Sequence, residues 1–124
     1  MKARRFLGAL LLAAVGAQAG ELDGEQAFAA CAACHSLAPG APHKVGPNLY
    51  GVAGRRAATQ PGYRYSPALE ASGLTWNRGT LTTWIVATEA LVPGNWMLFH
   101  SPLAPAEVPR LVDYILSRQP EADG

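Results

Sequence analysis

Cys31-Ala-Ala-Cys34-His35 places two thiols and an imidazole within five residues, and the chain has no other cysteine. Three chemistries use such a cluster. A redox disulfide of the thioredoxin kind wants a βαβ pattern around the motif, and none is visible here. A structural zinc site needs four ligands, commonly as two pairs. Cys31 and Cys34 have no partner pair, and adding His43 and His100 gives a spacing that matches no common zinc module. The third chemistry uses all three residues as they stand. In CxxCH the thiols add across the two vinyl groups of haem, and the histidine after the second thiol reaches the iron. A five-residue motif is weak alone, so its surroundings decide.

The haem reading demands something further of the chain. A six-coordinate electron-transfer haem needs a second axial ligand, usually Met or His. Of the two methionines, Met1 belongs to the leader described below, and Met97 sits in LVPGNWMLF, a Pro-Gly loop between two helical segments. A lone methionine often only fills a core. Here it lies 62 positions after His35, across two helices and a long loop, which is chain enough to wrap a flat macrocycle and return on its other side. His100 is the rival ligand. Ligand type and loop context favour Met97.

The compartment agrees. Lys2, Arg4 and Arg5 precede the apolar run Phe6–Gly16, and Ala17-Gln18-Ala19 supplies the small-x-small pattern of a signal-peptidase site. From Phe6 to Ala19 is 14 residues, against roughly 20 apolar ones for a membrane span. The expectation is a secretory signal over 1–19 and a single domain over 20–124, exported to the periplasm without a membrane anchor. That domain carries seven basic and nine acidic residues, net −2, with Arg55-Arg56 as its only basic pair. A nucleic-acid binder would show a basic face, so nucleic acid is excluded as a partner. A core this small gains from a bound cofactor.

The elements that must position these residues are helical. Asp23 to Cys31 has Ala27, Phe28 and Cys31 at helical spacing. Ser66-Pro67 to Gly73 reads as a complete short helix, with a Ser cap, Pro in the first position and a Gly exit. Asn77 caps a helix with Leu81, Trp84 and Ile85 on one face, and Val108, Leu111, Val112 and Ile115 form the stripe of the last. Pro109 fits if that helix starts near Pro105, because a missing donor costs least in the first turn. Ser36 to Gln60 is a long loop with four Gly and three Pro. A loop of that length in a small domain needs something to pack against.

With these residues in place, the chain resembles a class I cytochrome c, the mitochondrial and bacterial type. GEQAFAACAACH is similar to that family's first helix and attachment site, GPNLYGVAGR to the segment after it, PGYRYSPAL and GLTWNRGTLTTWI to its middle, and VPGNWMLF to its ligand loop. The resemblance implies an all-α fold of about four to five short helices and long loops wrapped around one covalently bound haem. It implies thioether bonds from Cys31 and Cys34, axial ligation by His35 and Met97, and a Pro47 carbonyl that orients His35. Arg55, Tyr65 and Trp76 match positions that hold the haem propionates, and Trp84 matches an aromatic, often Tyr, near the methionine sulfur. Plain core or a solvated loop charge is the alternative role for each of these four.

The departures from the family pattern are as informative. Asn95-Trp96 stands where Thr-Lys is common, and Leu69 replaces a polar Asn, which should dry the pocket. Positions matching the family's lysine ring read Ala30, Glu89, Trp96, Leu103 and Ala104, with only Lys44 kept. Docking through an apolar patch of Trp96, Leu103 and Ala104 with weak electrostatic steering is therefore expected. The function implied is electron transport rather than enzyme turnover: a monomeric one-electron shuttle. Its redox partners would be a membrane oxidase, a cytochrome complex or a periplasmic dehydrogenase. The alternatives are a haem enzyme or gas or redox sensor with a displaceable Met97, a subunit of a larger dehydrogenase or oxidase complex, and a haem-free thiol oxidoreductase.

Overall fold

The structure is a computed structural model and describes residues 2–5, 7–10 and 20–121. The cleavage tripeptide Ala17-Gln18-Ala19 and most of the apolar run before it lie outside the described residues. Among those described, five helices and one isolated antiparallel bridge, Arg56 to Thr75, make an all-α fold. None of these helices is long and apolar enough to cross a membrane.

Helix α1 (Gly24–Ala27) begins with a reciprocal cap. The Asp23 carboxylate accepts from Gln26 N–H at 2.8 Å, and the Gln26 amide oxygen accepts from Asp23 N–H at 3.0 Å. The expected helix over 23–31 is shorter than its spacing suggests, because Phe28–Ala30 tightens into a 3₁₀ turn. That turn runs directly into the Cys31–Cys34 segment. Helix α2 (Pro67–Ala71) has the expected Ser66 cap on Leu69 N–H at 3.1 Å, and Gly73 takes its left-handed exit at φ +67°. Helix α3 (Arg78–Val86) is capped by Asn77 and buries Leu81, Trp84 and Ile85. A further helix, α4 (Thr88–Leu91), follows after a break at Ala87 and has no side-chain cap to announce it. Helix α5 (Glu107–Ser117) starts two residues beyond Pro105, which places Pro109 inside its first turn. Its stripe of Val108, Leu111, Val112 and Ile115 is buried, with Leu111 and Val112 fully so.

The long loop after His35 is held by a polar hub. Buried Asn48 donates from Nδ2 to the carbonyls of Ala38 at 2.8 Å and Ala41 at 3.0 Å, and its Oδ1 accepts from Tyr50 N–H at 2.9 Å. His43 adds a second tie: it accepts from Asn48 N–H through Nδ1 and donates from Nε2 to the Pro61 carbonyl. Gly51 N–H donates to the Arg118 carbonyl at 2.8 Å, which fastens the loop to the end of α5.

The two ends of the domain meet where α1 packs on α5. Buried Glu107 reaches across, accepting from Leu22 N–H at 3.0 Å and from Ala104 N–H at 2.8 Å. Gly24 lets the helices approach this closely. A Cβ there would sit 2.4 Å from the Arg110 carbonyl oxygen and 2.6 Å from Tyr114 Cβ. Neither is the flexible end of a side chain, so the helices would have to separate. Gly24→Ala should cost about 1–3 kcal/mol of stability, read as a lowered denaturant midpoint with unchanged slope.

Candidate functional site

The helices and loops enclose a cavity of about 470 Å³. Cys31, Cys34, His35, Pro47, Arg55, Tyr65, Trp76, Trp84 and Met97 all line it. His43 and His100 do not. His43 is spent on the loop ties, and His100 lies in a separate groove with Val86, Leu103 and Val108.

His35 is buried, and its Nδ1 donates to the Pro47 carbonyl at 2.8 Å. That bond selects the tautomer whose Nε2 keeps its lone pair for a metal. Burial, and to a lesser degree the nearby Lys44 charge, pull the His35 pKa below its ordinary value, while the bond to Pro47 pushes it back up. The ring is therefore neutral at neutral pH, as ligation requires. Acid works against this arrangement. The unfolded chain takes up the proton first, so stability falls as pH drops below about 6.5.

The neighbouring Gly46 went unnoticed in the sequence. A Cβ at this position would lie 2.2 Å from His35 Cε1, so the backbone rests directly against the imidazole. Its N–H donates to the Cys34 carbonyl at 2.7 Å, tying this contact to the cysteine turn. Gly46→Ala should unseat the ring, lower the yield of cofactor-loaded protein and cost about 1–3 kcal/mol in denaturant unfolding of what remains.

The cysteine pair is poorly suited to thiol exchange. Burial, reinforced by Cys34, pushes the Cys31 thiol up to about 11. Reactive CxxC thiols are instead depressed, commonly at a helix N-terminus. Here the pair follows the end of the 3₁₀ turn. Zinc fares no better: among the described residues no three His, Cys, Asp or Glu side chains converge.

On the side of the cavity that the resemblance gives to carboxylates, Arg55 is half-buried rather than a solvated loop charge. Its guanidinium donates to the Gln60 amide oxygen and to the Tyr50 carbonyl. The Tyr65 hydroxyl accepts from Gln60 N–H at 3.2 Å, which leaves its own proton to give away. Gln60 thus organises two donors, and nothing in the sequence marks it for that task. Burial raises the Tyr65 pKa, so the phenol stays a donor. Trp76 and Trp84 meet edge-on with centroids 5.5 Å apart, and both are buried. Leu69 contributes apolar wall where the family carries Asn.

Met97 is half-buried, packs against the core and lines the same cavity. The turn before it is built by Asn95, whose Nδ2 donates to the carbonyls of Val92 and Thr88 and to Glu89. Glu89 also accepts from Gly94 N–H at 3.0 Å. The Asn95 donor is therefore already used within the turn. Its Oδ1 is buried without a partner, so what it offers is an acceptor. The expected apolar patch also changes. Leu103 packs against the core, while Trp96, Leu98 and Val45 are 56%, 87% and 77% exposed and line the cavity.

Two thiols, a neutral imidazole with a free ring nitrogen, a thioether and a largely apolar lining fit a metalloporphyrin. The family model for cytochrome c matches residues 22–119. The chain belongs to the cytochrome c family. It is 44% identical over 107 residues to a cytochrome c2 of Rhodoblastus acidophilus, covering 86% of this chain and 98% of that one. A cytochrome c2 of Blastochloris viridis is 41% identical over 120 residues, covering 94% and 93%. Among solved structures, cytochrome cH from Methylobacterium extorquens superposes with a TM-score of 0.70 at 39% identity, covering 76% of this chain and 94% of that one. The protein is an electron carrier with a c-type haem, not an enzyme.

Proposed function

We propose that Cys31 and Cys34 hold the haem by thioether bonds, and that His35 Nε2 and Met97 sulfur ligate its iron from opposite faces. The observation that carries this reading is the meeting of all four side chains at one cavity, with His35 Nδ1 spent on Pro47. The bound haem iron supplies a centre that gains and loses one electron. Pro47 and Gly46 fix the imidazole plane, and Glu89 and Asn95 fix the turn that delivers Met97. With His35 and Met97 both holding the iron, the protein would leave no site open for oxygen or peroxide, and ligands this firmly positioned would keep reorganisation between redox states small. Arg55, Tyr65 and Trp76 then face the propionates as donors, which lowers the cost of holding carboxylates away from water.

Mass spectrometry of the exported product should find a chain beginning at Gly20, heavier by one haem and without titratable thiol. Met97→Ala should abolish the sulfur-to-iron charge-transfer absorption, and His100→Ala should leave it intact. A colourless product with two free sulfhydryls would overturn the assignment.

The exchange partner is, on this reading, a redox protein met in the periplasm by a monomeric carrier. Val45, Trp96 and Leu98 present an exposed apolar rim to it. With only Lys44 kept at the positions matching the family's lysine ring, transfer rates should fall only shallowly with ionic strength. A steep decline with added salt, measured by stopped flow, would contradict apolar docking.

A further inference from the structure

The segment carrying Met97 is tied down unevenly. Glu89 and Asn95 anchor it as far as residue 95. Beyond that point, among the described residues, its backbone bonds through residue 99 stay within the segment: Leu98 N–H to the Trp96 carbonyl and Phe99 N–H to the Met97 carbonyl. No helix is present between α4 and α5. Met97 and Phe99 pack inward against the core, and a further side-chain contact ties the segment to another part of the chain at the surface. Arg64, in the loop before α2, sets its guanidinium carbon 5.6 Å from the centroid of the Trp96 ring. Both residues line the cavity and both are exposed. The distance lies within cation–π range, and Trp is the best ring for it.

We propose that Arg64 and Trp96 form a clamp across the cavity mouth that holds the Met97 segment closed. They are positioning residues, acting on the iron only through the methionine that Trp96 precedes. The inference rests on Met97 being an axial ligand. It explains how the loop tolerates Trp at position 96: the ring gives Arg64 a flat surface to grip. It also makes the loop's closure depend on a residue 32 positions earlier in the chain.

The test uses the ferric holoprotein with Arg64→Gln, Arg64→Lys, Trp96→Leu and the Arg64→Gln/Trp96→Leu double variant. Added cyanide must wait for Met97 to leave. Its carbon lone pair then replaces the sulfur lone pair on iron with no change of oxidation state. The exposed contact is worth about a two- to fivefold change in the opening equilibrium. Arg64→Gln and Trp96→Leu should each speed cyanide uptake by about that factor, together with amide hydrogen exchange over residues 96–99. The double variant should be no faster than the faster single one, and Arg64→Lys should retain most of the closure. Unchanged rates in Arg64→Gln, or a double variant equal to the product of the singles, would overturn the clamp. The sulfur-to-iron band of the unsubstituted protein tests the ligand reading by itself. If it is absent, Met97 ligation fails and hydrogen exchange alone decides the clamp.

Discussion

The imidazole of His35 is pressed against a backbone that has no room for a Cβ at Gly46, and its Nδ1 is committed to the next carbonyl, Pro47. Much of the site follows from that contact. It sets the tautomer and fixes the orientation of the remaining nitrogen, while burial keeps the ring neutral. The contact is itself held from two directions. Gly46 N–H is bonded to the Cys34 carbonyl, and the loop beyond Pro47 is pinned by Asn48 and His43. The cysteine turn, the histidine and the loop therefore form one rigid wall, made without regular secondary structure.

The Met97 side of the cavity is built on another principle. Met97 arrives on a turn whose hydrogen bonds are concentrated before it, in Glu89 and Asn95, while its neighbours Trp96 and Leu98 carry exposed apolar side chains. One wall is fixed by close backbone packing and the other by a side-chain network at its hinge. Among the residues that line the cavity, Asn95 keeps a buried Oδ1 without a partner, whereas Arg55 and Tyr65 present donors.

Most of the helical frame was legible because its signals are local. Ser66 with Pro67, Asn77 with Thr80, and the stripe from Val108 to Ile115 each carry their reason within a few residues. Cys31, Cys34, His35 and Met97 stand out in the sequence because thiols, an imidazole and a thioether are scarce in this chain, and the fold brings all four to one cavity. What escaped notice depends on contacts distant in sequence or on backbone approach. Gly46 looks like any loop glycine until His35 lies against it. Gln60 gains its role only when the fold brings Arg55 to its side-chain oxygen and Tyr65 to its backbone N–H. Helix α4 is too short and too poorly capped to leave a periodic trace, and the packing of Leu103 against the core depends on contacts that only the fold makes. An amide has two ends, and only the folded turn shows which end of Asn95 is occupied.

The hydrogen bond from Leu22 to Glu107 spans 85 positions, so the first and last helices close the domain like a clasp. Such a contact must await the end of the chain, and its loop-closure cost is met late. During synthesis the Cys31–His35 turn therefore emerges long before the last helix. Until α5 is made the domain stays unclasped, and the cavity beside that turn lacks the wall that Ile115 supplies.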